Sequence, residues 1–535
     1  MRKLASIPAI VSLLLLCAGP AVAKPSLFGP DSVVQTTCIA CHAQEAGGRV
    51  TRIESMRTTP EEWEYTLTRM ERRYGMALDP ATRKQALKEL SAKLGLTQAE
   101  AAKVAYLLRS PAASGRERLP VDERYQRVCA SCHSWGKVMS HRRTPESWRS
   151  LKDFHLASFP SATILSFEEI KWREEAADLL DGLARLLPLE ATSWQQERAA
   201  KTPDLSGAYL AAGRQPGRGD YQAAVTLEAR GGNDYEITRA VRWEDGKTET
   251  HKGAGALYGA HSLRMRFNWP GSHVKAAAQL QPDGRLEGTW TVKHHEHVYG
   301  DETLYPRKGA TRIARVAPTW LTPGGIHKVR VLATGKPGKL DFGPGTRVTA
   351  SRPLGDDWTE VTVQVESGAR PNRRPLKLDG KPTQVEVAVA RQIDYITVSP
   401  EHGMARIGYE WDPAKPKLVP RQGATFEAWG WSHGPDGKRQ TADDVALTRL
   451  DGVRWSLSEF HTTFDDDDLA YIGTLGQNGL FMPNGFGPTP QSPSKNPTGN
   501  AWVVARWRPN QAAAEDLVAR AYLWVTFPDL VKEIN

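Results

Sequence analysis

A twelve-residue pattern, "TPEEWEYTLTRM" at 59–70, occurs a second time as "TPESWRSLKDFH" at 144–155. Both copies have Thr, Pro, Glu and Trp at the same offsets, but the first ends in Met70 and the second in His155. In each copy Thr is the predicted N-cap of a helix and Pro its first residue, and Glu62 adds a capping box to the first. Trp and the final residue are seven positions apart, so they lie on one helix face. Because Met and His can both bind a metal, the exchange raises the question of what each face meets.

The first 23 residues have the pattern of a cleaved secretory signal. Arg2 and Lys3 form a positive start, 10–17 is an apolar run, and 21–23 is an A-x-A site, which predicts cleavage after Ala23. The alternative, a lipoprotein anchored at Cys17, lacks a small residue before the cysteine. No later segment approaches the roughly 20 apolar residues of a membrane span. We therefore predict an exported, periplasmic chain without a membrane anchor.

The composition is that of an ordinary globular protein. A chain of 535 residues with 40% hydrophobic residues is long enough for several domains with real cores. Its formal charge is +9, of which Arg2 and Lys3 contribute two. The basic residues are spread along the chain and form no nucleic-acid-binding motif, which argues against DNA or RNA as a partner. A mildly basic surface can still attract an acidic protein.

The four cysteines beyond the signal fall into two motifs of one kind. "CIACH" at 38–42 and "CASCH" at 129–133 both read C-x-x-C-H, the attachment signature of c-type haem. One motif could belong to a zinc or thiol redox site. Two motifs behind an export signal, with no cysteine left over, predict two covalent haems. The predicted haem-binding cysteines are Cys38, Cys41, Cys129 and Cys132, and the predicted proximal iron ligands are His42 and His133.

The repeated helix then offers a sixth ligand to each iron. By internal alignment, Met70 serves the first haem and His155 the second. Alternatives stay open at both sites. They are Met56 or Met76 for the first haem, and His141 or Met139 for the second. A thioether ligand raises the potential of a haem iron and a second imidazole lowers it, so two such haems would form a directional path for electrons.

The helical region predicts two similar lobes. Residues 97–110 and 166–188 each begin with a Ser/Thr-x-x-Glu capping box, and each should form the closing helix of one lobe. We therefore expect a multidomain chain, α then β, that starts with a tandem all-α dihaem cytochrome c domain over 24–198. Its lobes would span about 24–115 and 116–198.

The rest of the chain predicts β structure. Short runs rich in β-branched and aromatic residues are separated by turn signals, among them Asp-Gly pairs at 245–246 and 283–284. We expect an antiparallel β-barrel over 199–316, an immunoglobulin-like β domain over 317–395 and a second one over 396–535.

The β region offers one candidate metal pair and no predicted catalytic residue. In "HHEH" (294–297), His295 and His297 share one strand face, which a metal could use, but no third ligand is identifiable and exposed polar strand residues give the same pattern. Residues 199–535 contain no recognisable nucleophile–base pair or nucleotide-binding loop. This part of the chain reads as a scaffold.

The order "CIACH", "TTPEEWEYTLTRM", "CASCH", "RRTPESWRSLKDFHLASFP", followed by β domains, resembles the alpha subunit of quinohaemoprotein amine dehydrogenase over essentially the whole chain. The resemblance implies a periplasmic heterotrimer, completed by a beta-propeller subunit and a small gamma subunit that carries a cysteine tryptophylquinone. It implies that primary amines are oxidised to aldehyde and ammonia. Electrons would pass from the quinone through two haems to an external azurin or cytochrome c. All six C-x-x-C-H residues match the family's haem motifs, and Met70 and His155 lie in its axial segments.

The residues alone add one constraint. All four mature cysteines are used by the haem motifs, so this chain cannot build a cysteine–tryptophan quinone of its own, and amine chemistry would have to lie on a partner chain. Two alternatives remain at this stage: a standalone exported dihaem cytochrome with β binding domains, and a dihaem peroxidase, which needs one iron with an open sixth position.

Overall fold

The computed structural model describes most of the chain and shows that it is mainly β. It describes residues 24–108, 122–130, 133–160, 172–269, 271–408, 419–461, 467–488, 496–509 and 515–527. Among these residues, 44% lie in strands and 22% in helices. The predicted signal, residues 1–23, and Cys132 lie outside the described residues.

Nine α-helices lie within the described residues, all of them before the first barrel strand. They are α1 Val33–Thr36, α2 Pro60–Tyr74, α3 Pro80–Leu94, α4 Gln98–Ala102, α5 Glu123–Val128, α6 Trp135–Met139, α7 Pro145–Ser158, α8 Trp172–Leu186 and α9 Thr192–Ala199. Short 3-10 turns occupy Cys38–Ala40, Ala105–Leu108 and Asp468–Ala470. Within the described part of the chain, every helix is too short or too polar to cross a membrane.

The predicted helix starts are confirmed. α2 and α7 begin directly after Thr59 and Thr144, whose side chains accept hydrogen bonds from backbone N–H groups three residues on. The capping box predicted at the start of α4 is also present. Glu62 does not complete the capping box predicted for α2. Its carboxylate lies 3.1 Å from Lys137 Nζ instead.

The predicted tandem all-α domain over 24–198 is wrong, because a two-stranded sheet joins its two halves. Strand β1, Met56–Thr58, pairs antiparallel with β2, His141–Arg143, and Arg57 faces Arg142 across the pair. The cause lies in the repeat itself. An N-cap residue has extended backbone, the residue before proline disfavours the α region, and the three residues before each N-cap continue the extended path. One short strand therefore precedes each copy.

The predicted β-barrel is confirmed. Eight antiparallel strands close in the order β10-β3-β4-β5-β6-β7-β8-β9. Along β5 every second residue is buried, from Tyr235 to Trp243, as expected for a strand with one face in a core. The strands are β3 Gly207–Gln215, β4 Gly219–Gly231, β5 Asp234–Trp243, β6 Thr248–Tyr258, β7 Ser262–Trp269, β8 Ser272–Leu280, β9 Leu286–Val292 and β10 His295–Pro306.

Two further β units follow the barrel. The first has two four-stranded sheets, β11-β13-β16-β15 and β12-β18-β17-β14, around an apolar core. Its strands are β11 Ile313–Ala317, β12 Trp320–Leu321, β13 Ile326–Ala333, β14 Leu340–Asp341, β15 Thr346–Gly355, β16 Trp358–Val365, β17 Asn372–Leu378 and β18 Lys381–Val389.

The second unit has sheets of three, four and three strands, in the orders β19-β22-β23, β20-β28-β27-β24 and β21-β26-β25. Its strands are β19 Tyr395–Ser399, β20 His402–Arg406, β21 Ala424–Thr425, β22 Glu427–Ser432, β23 Val445–Arg449, β24 Arg454–Glu459, β25 Gly473–Leu475, β26 Leu480–Pro483, β27 Gly499–Trp507 and β28 Leu517–Thr526.

The helical region rests on the barrel through ion pairs. Lys84 and Lys88 of α3 lie 2.7 and 2.6 Å from the carboxylate of Asp234 on β5. Arg264 on β7 donates to Glu61 of α2 over 3.0 Å. The first turn of α2 and the middle of α3 are therefore held against the outside of the barrel.

Candidate haem-binding site

The second C-x-x-C-H motif opens onto a cavity in the helical region. Cys129, His133 and the predicted distal ligand His155 all line this cavity. We call it the second cavity because it belongs to the second motif. Most of its wall is apolar or aromatic, with contributions from Val138, Trp148, Leu151, Phe154, Phe159, Trp172, Ala176, Leu180 and Leu183.

The ring of His155 is held in the form that a metal requires. Its Nδ1 lies 2.7 Å from the carbonyl oxygen of Leu151, and since a carbonyl only accepts, Nδ1 carries the proton. Nε2 is then left with a free lone pair, as in most metal-ligating histidines. Burial lowers the pKa of His155, which favours the neutral ring.

The alternative ligand His141 reaches the same cavity. Its Nδ1 lies 2.9 Å from the carbonyl oxygen of Lys137, and its Nε2 lies 3.8 Å from the carboxylate of Glu62. Burial lowers the pKa of His141 well below its ordinary value. Met139 instead packs between the apolar clusters around Trp135 and Leu96. Both histidines that the sequence proposed for this site are thus present at it.

Two arginines also line the second cavity. Arg69 comes from α2 and Arg143 from β2, and the Nε of each is buried without a hydrogen-bond partner in the described part of the chain. Burial and the nearby charge of Arg69 lower the pKa of Arg143 to about 10. A c-type haem has an apolar ring, an iron and two carboxylates. The apolar wall, the cysteine, the neutral imidazoles and the two guanidinium groups fit these parts.

The first motif forms a tight turn. Cys38–Ala40 is a 3-10 turn, and the backbone N–H of His42 donates to the carbonyl of Cys38 over 3.0 Å. His42 Nδ1 lies 3.1 Å from the carbonyl oxygen of Thr51, so its Nε2 also keeps a free lone pair. Burial, aided by Glu89 and Cys41, raises the pKa of Cys38 to about 11. Burial raises the pKa of Cys129 to about 12.

Two of the three methionine candidates for the first iron lie at the apolar core around Trp63 and Leu67, which we call the first core. Met56 is buried in that core and Met76 packs against it. Met70 is half-buried on the face of α2 that carries Trp63 and Leu67, both of which belong to the core. These positions do not decide among the three methionines, so Met70 stays the predicted distal ligand, with Met56 and Met76 as its alternatives.

Helix α2 lies between the first core and the second cavity. One face packs into the core through Trp63 and Leu67, while Tyr65 and Arg69 on the other side line the cavity. Tyr65, Arg69 and Arg143 were not predicted as site residues, because the repeat suggested that each helix serves one lobe. The signal that could have revealed Arg69 is its place next to Met70, which turns it away from the core face.

His295 and His297, predicted to share one strand face, differ in their exposure to solvent. His295 is exposed, whereas His297 is 9% exposed and its ring lies 3.2 Å from Gln422. Their ring centroids are 6.0 Å apart. Within the described ranges, no cluster of three or more His, Cys, Asp or Glu side chains suits a metal ion.

The cavity and the two C-x-x-C-H motifs indicate a haem-binding protein, and comparison with known families makes this assignment more specific. Residues 29–194 match the model "Quinohemoprotein amine dehydrogenase A, alpha subunit, haem binding". Residues 202–303 and 396–534 match alpha subunit domains II and IV of the same protein. Together the matches cover more than half of the chain. The chain belongs to the quinohemoprotein amine dehydrogenase alpha subunit family, as the sequence resemblance predicted, and this family is a subunit of a multi-subunit amine dehydrogenase.

Other comparisons add little. No curated protein sequence matches. A redesigned beta barrel shares 13% identity over 19% of this chain and 90% of its own, with a TM-score of 0.17. A de novo designed fluorescence-activating beta barrel shares 16% over 19% and 92%, also at 0.17. FdeC, an Escherichia coli adhesin, shares 11% over 59% and 99%, at 0.14. These TM-scores are too low to carry an argument about this chain.

Proposed function

We propose that this chain is the dihaem electron-transfer subunit of a periplasmic quinohaemoprotein amine dehydrogenase. The observation that carries the proposal is the second cavity, where Cys129, His133 and His155 meet although 26 positions separate the first from the last. A wall of aromatic and aliphatic side chains around a neutral imidazole suits a buried redox cofactor. The family membership of the chain supports the same conclusion.

Each candidate residue has a role in this proposal. The bound haems supply one-electron redox chemistry. Cys38 and Cys41, and Cys129 and Cys132, hold them covalently. His42 and Met70 bind the first iron, and His133 and His155 bind the second, with Met76 and His141 as the alternatives. Backbone carbonyls orient the histidine rings through Nδ1, and the apolar walls exclude water.

Amine oxidation is assigned to a partner chain. With its four mature cysteines committed to haem, this chain has none left for a cysteine tryptophylquinone. The quinone is proposed to lie on a small gamma subunit, next to a beta-propeller subunit. Electrons from oxidation of a primary amine to aldehyde and ammonia would leave to an external azurin or cytochrome c. Export would follow cleavage after Ala23.

The test is anaerobic reduction by substrate. The protein is purified natively with the chains that accompany it, a panel of primary amines is added, and the reduced haem bands are recorded. The isolated chain with its haems is the control. We expect reduction in the native complex and none in the isolated chain.

Two other results would contradict the proposal. If the native preparation contains no second chain and no amine reduces it, the standalone cytochrome becomes the better interpretation. If the isolated chain is reduced by amines, the quinone cannot be confined to a partner. Mass spectrometry of the haem peptides separately checks that both C-x-x-C-H motifs carry haem.

A further inference from the structure

Arg69 and Arg143 line the second cavity, and neither forms an ion pair within the described residues. Arg69 lies with its guanidinium 5.2 Å from the ring centre of Phe154, and Arg143 lies 5.8 Å from that of Trp148. Stacking of this kind covers the face of a guanidinium and leaves its N–H edge free. The only hydrogen bond that the Arg143 side chain makes within the described residues is to Ser147 Oγ, over 3.2 Å. Both Nε atoms are buried and unpartnered there.

The nearest acidic side chain is already engaged. Glu62 lines the same cavity, but its carboxylate lies 3.1 Å from Lys137 Nζ and 3.8 Å from His141 Nε2. Neither Arg69 nor Arg143 has an ion pair with a carboxylate of the described chain. Buried charges are normally paired, because an unpaired one loses its hydration without compensation. The cavity therefore lacks about two negative charges on its arginine side.

The geometry points to Arg69 and Arg143 as the binding site for the two propionate carboxylates of the haem attached at Cys129 and Cys132. This inference rests on the proposed function, since it requires a haem in the second cavity. A guanidinium presents N–H donors in a fork that matches a carboxylate, which a lysine cannot do. The pair comes from two different elements, α2 and β2, so it also joins both halves of the helical region to one cofactor.

The arginines should set the potential of this haem. The ferric form carries one more positive charge than the ferrous form, so nearby cations disfavour it and raise the midpoint potential. Arg69→Gln and Arg143→Gln should each lower one of the two midpoint potentials, and the double variant should lower it further. The other potential should not move.

The experiment uses the full chain with both haems, first checked by mass spectrometry of the two haem peptides. Midpoint potentials come from spectroelectrochemical titration, and the propionate-bending band from resonance Raman spectra. Arg149→Gln is the matched control, because Arg149 lies on α7, is 59% exposed and pairs with Asp181. Arg69→Lys and Arg143→Lys keep the charge but remove the fork.

A fall in one potential and a shifted propionate band in R69Q and R143Q, with R149Q unchanged, supports the inference. The Lys variants should have a midpoint potential close to that of the wild type, but their propionate-bending band should still shift. If haem is attached at both motifs and neither readout moves, the inference is wrong while the proposed function stands. If a Gln variant fails to bind haem, the Lys variant at the same position provides the test. An unchanged propionate-bending band in that Lys variant overturns the inference.

Discussion

Trp63 and Trp148 hold the two copies of the repeat in the same way. Each indole is 2% exposed, and each donates its N–H to a buried backbone carbonyl, Leu94 at 3.2 Å and Leu187 at 3.1 Å. The Trp that both copies share in the sequence is thus the residue that ties each helix to the end of the next helix packed against it.

Trp148→Phe should lower the free energy of unfolding by about 0.5–1.5 kcal/mol, because the buried hydrogen bond to the Leu187 carbonyl is lost while the backbone N–H of Arg143 still donates to that carbonyl over 3.3 Å. Chemical denaturation of the holo-protein measures this. The matched control is Trp524→Phe, whose side chain is 46% exposed and whose loss should change little. Equal effects of the two substitutions would show that the indole hydrogen bond is not what matters.

His155→Met should raise the midpoint potential of one haem and change its absorption spectrum, because a thioether ligand favours the reduced iron more than imidazole does. His141→Ala is the control at the same cavity and should leave the iron ligation intact. A spectrum that responds to His141→Ala and not to the His155 variant would make His141 the ligand.

At the scale of elements, Glu100 joins the two-stranded sheet to helix α4. Arg57 and Arg142, which face each other across β1 and β2, lie 2.8 and 2.9 Å from its two carboxylate oxygens. Glu100 also accepts from the backbone N–H of Thr97 in the capping box. One carboxylate therefore pairs with two arginines, each two positions before the first Thr of one copy of the repeat.

Glu100→Gln should destabilise the helical region by about 3–5 kcal/mol, since it leaves two buried arginines without their counter-charge. Denaturant unfolding followed by the haem absorption measures the loss. Glu190→Gln is the control, as its pair with Lys24 is exposed and worth about 1 kcal/mol or less. A loss of stability no larger than that of Glu190→Gln would show that Glu100 does not stabilise the two-stranded sheet.

The same carboxylate predicts a response to acid. Burial raises the pKa of Glu100, but the hydrogen bond and charge of Arg57 and the charge of Arg142 outweigh it and hold the pKa at about 2. A carboxyl with a depressed pKa stabilises the fold above its unfolded value of 4.5. That contribution, about 3 kcal/mol, is lost as the pH falls from about 4.5 to about 2. Across this range, the free energy of unfolding should fall more steeply with decreasing pH in the wild type than in Glu100→Gln.

The starts of these elements were predictable, and their pairing was not. Thr59 and Thr144 signal helix starts through local capping, which depends only on neighbours in sequence. Strands of three residues carry no periodicity, so β1 and β2 had no signal of their own. His155 was found because the repeat aligns it with Met70. Arg69 and Arg143 form one site only after α2 is packed against β2.

At the scale of the whole molecule, the other parts of the chain contact the barrel through ion pairs. Asp234 pairs with two lysines of the helical region, Arg307, directly after β10, pairs with Asp357, and Arg214 on β3 donates to Glu427 over 2.8 Å. The alternation of buried and exposed residues made the barrel strands predictable, whereas these cross-contacts depend on tertiary packing.

Asp234→Asn should loosen the contact between the helical region and the barrel by about 1 kcal/mol, because the pairs are partly exposed. The loss should be larger at low than at high ionic strength, where salt screens the pairs. Thermal unfolding in both conditions measures it, with Arg149→Gln as a control. A loss that is large and independent of salt would show that Asp234 acts through packing.

Helix α2 presents one side to the first core and the other to the second cavity. If α2 frays or unwinds, the wall of both candidate sites opens in the same event. Amide hydrogens on the two sides of α2 should therefore exchange with solvent at one common rate, and protection around Cys38 and around His155 should be lost together. Two centres that differ in their ligands would share a single opening transition, so neither could be exposed to oxidants or to solvent without the other.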